Sequence, residues 1–493
     1  MIVGGAEDPE PISGQVEPEP LVEKQQDPSN LLGLLMRFLE LTGNVLLIQG
    51  PPGTGKTTLS FELLRRMEGP QIGQRTVPPN RLYVSSRISP VKLRKHFPWI
   101  NEVVDSSSSR AVRVGAVEGP EEFQISQADS ILSKVLNLKH SRQRSLVVID
   151  SWEGALRNTT EEGRRMLESA ILSQPEESKV SVVLVSEGRD MHELAHFVDG
   201  VVTLSATQLD GRRLRSLAVN KLRGLKVPTV QGLFTLEKGR FTFLPETVFV
   251  EGSQGKVKIP EPIVHSETAY STGSHDLDHM LKGGIRKGSS ILLDLDNSVS
   301  PQETRLLLRI ICANFVNQGG CCFIVPSGTI SSENVAMALG RCVGEQALND
   351  RVQIVEFNPS AATMKWRLSL KGNLEEDIKL FGNCLKELAS VSSSLVVASD
   401  FDKVAQVYGE DLFLPNLSQL GASMRDSGAL NIGMASRPTK LREDYLRIVD
   451  YHLKLQDTGG VLVMYGVKPF TSVYGVKFSF QRGFPTMNLT EIV

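Results

Sequence analysis

The run Gly50-Pro51-Pro52-Gly53-Thr54-Gly55-Lys56-Thr57-Thr58 follows the apolar stretch Val45–Ile48 and precedes the helix-forming stretch Leu59–Met67. It fits G-x-x-x-x-G-K-[ST] in the context that pattern needs, a buried strand before it and a helix after it. The glycines let backbone N–H groups turn inward around a phosphate with no Cβ in the way. The following helix points its positive end at the same anion. In that role Lys56 bridges the β- and γ-phosphates, and the Thr57 hydroxyl ligates Mg²⁺. The run therefore commits this part of the chain to binding a nucleoside triphosphate, with Gly50 to Thr58 as the binding loop.

At 493 residues the chain has room for about two to four domains. Its formal charge of −2 gives no global attraction to nucleic acid or to an anionic membrane, and argues against a salt-adapted, strongly acidic proteome. No apolar run approaches the roughly 20 residues that span a bilayer, and the N-terminus lacks the basic start and apolar core of a secretory signal. The expectation is a cytoplasmic protein with no membrane partner. All five cysteines lie between Cys312 and Cys384 with no C-x-x-C spacing, so they read as reduced, buried thiols.

Residues 1–30 are rich in Pro, Glu, Gln and Gly, and read as a disordered acidic tail. Beyond them, apolar β-branched runs alternate with helical stretches: Leu82–Ser85, Leu146–Asp150, Val180–Val185 and Val201–Leu204. Strands apolar on both faces imply a mainly parallel sheet covered by helices on both sides. After Leu204 the texture changes to shorter alternating strands, with Asp210-Gly211 and Lys238-Gly239 as turns of antiparallel edge hairpins. A linker is expected over 246–269, and then the plan repeats over 270–493. Ser290–Asp294 takes the place of the strand before the phosphate loop, and Leu395–Asp400 echoes Leu146–Ser151. The fold class expected is α/β, two tandem sheet domains over 31–245 and 270–493.

A second nucleotide signal is Ser145-Leu-Val-Val-Ile-Asp150-Ser151. Four apolar residues bury the strand, and Asp150 at its end is suited to hold the Mg²⁺ hydration shell. Ser151 reads either as a helper at the metal or as the cap of the next helix. Trp152 reads as core packing rather than a shelf for a base.

With these motifs in place, the first copy resembles the RecA/KaiC superfamily of ATPases over almost its whole length. Asn220-Lys221-Leu222-Arg223-Gly224 matches the family's K-x-R-G motif. Ser271-Thr272-Gly273, Leu277-Asp278 and Leu281 to Ser289 resemble the family's leader sequence at the start of the second copy. One active copy fused to one decayed copy, with Ser85-Ser86-Arg87 after the second strand, is most similar in texture to the archaeal gas-vesicle regulator D (GvpD-like) proteins. The resemblance implies ATP with Mg²⁺ as cofactors and homo-oligomeric assembly. It also implies that Lys221 and Arg223 reach a neighbouring subunit's γ-phosphate, as catalytic cations beside Lys56 and Asp150.

Two departures bear on activity. Relatives carry a Glu pair after the second strand to orient the attacking water, whereas this chain reads Ser86-Arg87-Ile88. Weak ATPase activity is expected; Glu153 and Glu187 read either as substitute acids or simply as exposed loop acids. In the second copy the loop reads Asp294-Leu-Asp296-Asn-Ser-Val-Ser-Pro301-Gln-Glu-Thr304, without glycines or Lys and with two aspartates that repel phosphate. No nucleotide is expected there. The basic run Arg212-Arg213-Leu214-Arg215 reads first as an exposed hairpin strand, with Arg213 and Arg215 on one face and Arg212 on the other. The alternatives are a docking site for an acidic protein, or for nucleic acid.

The functional expectation is an ATP-binding regulatory protein with slow Mg-dependent hydrolysis, which switches assembly or its grip on a transcription regulator. The alternatives are a RecA-paralogue-type accessory ATPase of DNA repair, a nucleotide-stabilised scaffold without turnover and, less favoured, a clock-like autokinase. DNA is not the favoured partner.

Overall fold

A computed structural model describes residues 31–41, 43–67, 71–72, 75–76, 79–85, 90–99, 112–116, 127–139, 143–157, 159–172, 179–188, 192–245, 257–327, 330–357, 364–410 and 421–493. The tail over 1–30 and the positions Ser86 to Ile88 lie outside these residues, as does 246–256 of the expected linker.

The first half is built on nine strands: β1 (Val45–Gln49), β2 (Asn80–Ser85), β3 (Val112–Ala116), β4 (Ser145–Asp150), β5 (Val180–Ser186), β6 (Gly200–Leu209), β7 (Arg212–Leu222), β8 (Gln231–Thr235) and β9 (Thr242–Phe243). They lie in the order β9-β8-β7-β6-β1-β5-β4-β2-β3. From β3 to β6 the pairs are parallel, and from β6 to β9 they are antiparallel. The double-sided apolar pattern has a direct cause. Leu46 and Ile48 join the core under α1 (Leu31–Glu40) and α2 (Lys56–Arg66), while Val45 and Leu47 join the core on the other face, with Ile131, Trp152 and Leu167. The β6–β7 turn is Asp210-Gly211, both at positive φ.

The second half contains β10 (Ser290–Leu295), β11 (Cys321–Val325), β12 (Val352–Phe357), β13 (Arg367–Leu370), β14 (Leu395–Asp400), β15 (Leu430–Ala435), β16 (Tyr451–Thr458), β17 (Val461–Lys468), β18 (Tyr474–Gln481) and β19 (Phe484–Glu491). Their order is β13-β12-β11-β14-β15-β10-β16-β17-β18-β19. Strand for strand this repeats the first sheet, with β13 added at one edge, so the duplication expected from the sequence is present in the topology. Residues 257–268 run along this half: the Ile263 N–H donates to Asn314 Oδ1 at 2.9 Å and that of His265 to Gln318 Oε1 at 2.9 Å. All five cysteines are free and buried.

The two halves meet through their antiparallel edges. Leu214, Leu233 and Leu244 from the first share an apolar cluster with Val461, Val463, Tyr465, Val473 and Ile492 from the second. The basic run lies in this contact, which corrects the expectation of an exposed strand. Arg212 and Arg215 are both buried, and Arg213 alone is exposed. Arg212 lies between the rings of Tyr465 and Phe470, 4.7 and 3.9 Å from their centroids, and donates to the Thr471 carbonyl at 2.7 Å. Strict alternation fails because residues of the second half reach Arg212 on one face and Arg215 on the other, where Arg215 donates to the Val493 carbonyl, while Arg213 stays exposed. The acidic-partner role has an intramolecular counterpart in backbone carbonyls.

Candidate nucleotide site

The loop from Gly50 to Gly55 leaves the C-terminal end of β1, and α2 begins at Lys56. Gly50 takes φ +150, and a Cβ there would sit 2.3 Å from the Leu204 carbonyl oxygen, so only glycine lets the loop pass. Gly55 takes φ +98 at the N-cap of α2, with Leu236 pressed where a side chain would go. Lys56 is buried, and its ammonium donates to the carbonyls of Gly50 at 2.6 Å and Pro51 at 2.8 Å. A buried cation that donates to carbonyl dipoles is suited to a stronger acceptor, and an anionic phosphate is one.

The Thr57 hydroxyl donates to Asp150 Oδ2 at 2.7 Å, so the two residues assigned to the metal from sequence do converge. Tyr83 was not singled out by sequence reasoning, and it donates its hydroxyl to the same oxygen at 2.7 Å. Burial first, and then the Asp150 carboxylate beside it, push the Tyr83 phenol well above its ordinary range and keep it a donor. A hydroxyl and a carboxylate side by side are oxygen ligands of the kind Mg²⁺ takes, and Thr57 and Asp150 would hold it. Ser151 Oγ accepts from the Gly154 N–H at 3.3 Å, which caps the short helix Trp152–Ala155, and Trp152 is core.

Of the two substitute acids, Glu153 has a defined setting. One carboxylate oxygen accepts from the Ser186 hydroxyl and from the N–H groups of Glu187 and Gly188, each N–H at 3.0 Å. Burial opposes its ionisation, yet these donors hold its pKa below the ordinary glutamate range. Among the described residues, its buried second oxygen has no hydrogen-bond partner.

Lys221 and Arg223 lie elsewhere. Leu222 pairs with Gly200, which pairs with Leu46 near the start of β1, whereas the phosphate loop leaves its far end. Roughly 13 Å of strand separates the two levels. The Lys221 ammonium caps the segment after the helix His192–Phe197, donating to the carbonyls of Ala195 at 3.1 Å and Val198 at 2.6 Å. Arg223 donates to His196 and pairs with Asp199 at 3.5 Å. Burial, and then the neighbouring Arg223, lower the Lys221 pKa. Within one chain these cations do not face the chain's own phosphate loop.

Residues 40–247 match a family model described as "ATPase: KaiC". Over these residues the first half is similar to KaiC-like ATPases. The chain as a whole is similar to two proteins of Halobacterium salinarum, Protein GvpD1 and Protein GvpD2. Identity to GvpD1 is 23% over 92% of this chain and 95% of that protein. Identity to GvpD2 is 25%, over 92% and 94%. A UPF0273 protein of Thermotoga maritima is 28% identical over 37% of this chain and 79% of its own length. The RecA/KaiC-like and GvpD-like resemblance of the sequence thus holds, the first part over the ATPase half and the second over nearly the full length.

The matching position in the second half is built for something else. The helix after β10, Pro301–Asn317, has a capping box: Ser300 Oγ accepts from the Glu303 N–H, and Glu303 Oε2 accepts from the Ser300 N–H at 2.7 Å. A buried carboxylate of the chain thus accepts from the Ser300 N–H at the start of this helix, where a phosphate loop would offer N–H groups to a ligand. Asp294 does not act by simple repulsion, because Arg442 grips it with two bonds of 3.0 and 2.6 Å and His452 Nε2 lies 2.9 Å away. Asp400, which holds the place of Asp150 in the sheet register, caps the next helix by accepting from the Lys403 N–H at 2.8 Å. A cleft of about 1030 Å³ remains between these elements, lined by Asp296, Arg305, Asp402 and Arg437 among others.

Proposed function

We propose that the protein is an ATP-dependent regulator: ATP bound at Gly50 to Thr58, with Mg²⁺ at Thr57 and Asp150, changes its assembly or its hold on a protein partner. The observation that carries this reading is the convergence of Lys56, Thr57 and Asp150 on one loop of a KaiC-like domain, beside a second half whose equivalent loop is closed by Glu303. The likeness to GvpD1 and GvpD2 over nearly the whole chain supports a setting in gas-vesicle control, with a transcription regulator as the partner class. The chain's near-neutral charge supports a protein partner over DNA.

Hydrolysis is slow on this reading, since no carboxylate stands at 86–88 in the sequence and positioning of water is most of what such sites contribute. Glu153, held below the ordinary glutamate pKa range and with one oxygen unbonded among the described residues, is the acid best prepared to substitute. Lys221 and Arg223 act across a boundary between two copies, because within one copy they stand at the wrong edge of the sheet. The protein is accordingly a homo-oligomer when active, and cytoplasmic.

The test is turnover and oligomeric state of the purified protein, with and without ATP and with and without DNA. The reading predicts ATP-dependent assembly, slow turnover and no response to DNA. Strong DNA stimulation that falls steeply with salt would favour the repair-accessory alternative instead.

A further inference from the structure

Two ties run from the last residues of the second half to the phosphate loop of the first. Arg215 is buried in the contact between the halves. Its Nη1 donates to the Gly53 carbonyl in the phosphate loop at 2.9 Å, and its Nε donates to the carbonyl of Val493. The second tie passes through Thr235. Its hydroxyl donates to the Glu491 carbonyl at 2.6 Å and accepts from the Glu237 N–H at 3.1 Å, which brackets Leu236. Leu236 is the side chain packed where a Cβ on Gly55 would meet it at 2.9 Å.

The chemistry of the first tie is directional. The Gly53–Thr54 peptide is trans and planar, so its carbonyl and its N–H point opposite ways. A guanidinium holding the Gly53 oxygen on one side fixes the Thr54 N–H on the other, and a phosphate loop works by keeping such N–H groups turned inward. The guanidinium fork can make that bond and a second one to Val493 with no change of rotamer. Arg215 is therefore placed to make the loop's shape depend on whether residues 491–493 are docked.

We propose that Arg215 is a positioning residue for ATP binding, and that through it the final strand of the second half senses whether the phosphate loop is filled. The proposal rests on the ATP reading of that loop. It gives the degenerate half a task that needs no nucleotide of its own: docked, it preorganises the loop, and by reciprocity ATP tightens its docking. The contacts of Arg212 with Tyr465, Phe470 and Thr471, and of Asp210 with Lys454 at 2.8 Å and Tyr465 at 3.0 Å, hold the same edge together and make the docking one cooperative unit.

The experiment is hydrogen exchange of residues 484–493 in the full-length protein with and without Mg-ATP, together with ATP affinity, in wild type, Arg215→Ala, Arg215→Lys and Thr235→Val. Wild type is expected to exchange more slowly over 484–493 when ATP is bound. Arg215→Ala is expected to bind ATP about tenfold more weakly, within the usual range of such couplings, and to lose the exchange response. Arg215→Lys, which keeps the charge but not the fork, should recover part of the affinity and little of the response. If ATP binds wild type and leaves exchange over 484–493 unchanged, the proposal is wrong. ATP binding by Arg215→Ala at wild-type affinity would overturn it equally. Should Arg215→Ala fail to fold, Thr235→Val and the wild-type exchange pattern still decide. Absence of ATP binding in wild type, or its survival in Lys56→Ala, would instead overturn the ATP reading itself.

Discussion

In the first half, the loop after the central strand leaves a buried ammonium, Lys56, resting on two backbone carbonyls, with Thr57 and Asp150 joined beside it. In the second half, the loop at the same place in the same sheet order holds its own carboxylate, Glu303, on the start of the helix, and its aspartate is locked by Arg442 and His452. Both arrangements solve the same electrostatic problem. A helix N-terminus at the end of a parallel strand concentrates unsatisfied N–H groups that call for an anion. One half leaves the place for a ligand, and in the other a carboxylate of the chain accepts a hydrogen bond there. On the proposed reading, the missing glycines and lysine leave the second half without a nucleotide site. Ser300 and Glu303 satisfy the helix start there without a ligand.

This contrast can be broken by substitutions on either side. The largest effect is expected at Arg223. Arg223→Ala should leave ATP affinity nearly unchanged while lowering turnover by about 10³-fold, as removal of a trans-acting arginine does. Mixing it with Lys56→Ala should restore part of the activity, because some subunit boundaries then contain both intact halves. Two inactive mutants that co-assemble and show no recovery would exclude the shared site.

On the second side, Asp294→Ala removes the carboxylate that neutralises Arg442, and stranding a partly buried cation costs about 3 kcal/mol. Urea unfolding should show that loss, while the ATP affinity of the first half changes little. A large drop in ATP binding would mean the two loops are not independent in the way the comparison assumes. Ser300→Ala should cost about 1 kcal/mol through the lost cap, again without effect on nucleotide binding.

The mildest effect is on pH. His265, on the second half, accepts from the Ser271 N–H at 3.1 Å through Nδ1. Burial first, and then Lys287, lower its pKa from 6.5 to about 4. The unfolded chain therefore binds the proton first, so stability is complete above about pH 6.5 and falls as pH drops toward 4. His265→Gln should flatten that slope in melts recorded across the window, and an unchanged slope would assign it to another group.

The phosphate loop, Asp150 and the parallel sheet were legible because each is written locally, in a run of apolar residues and the type of residue that ends it. The repeat was legible for the same reason. What escaped depends on pairing across distance. Tyr83 reaches Asp150 because β2 and β4 are neighbours with Ser85 opposite Asp150. Leu236 covers Gly55 only because the β8–β9 connection folds over the loop. The burial of Arg212 and Arg215 follows from docking of the second half, which no periodicity within 212–215 announces. Glu303 is an intermediate case: Ser300-Pro-Gln-Glu303 is a capping box in plain sequence, but that it stands where the first half has its phosphate loop shows only in the fold.

The central claim is that one half binds nucleotide and that in the other Ser300 and Glu303 take up the N–H groups at the equivalent helix start. Its most direct test is the stoichiometry of a fluorescent ATP analogue in the presence of Mg²⁺, for wild type and for Lys56→Ala. The account predicts one nucleotide per chain in wild type and none in Lys56→Ala, since without the ammonium the β,γ-phosphate charge has no buried partner. Two nucleotides per chain, or one that survives in Lys56→Ala, would contradict it.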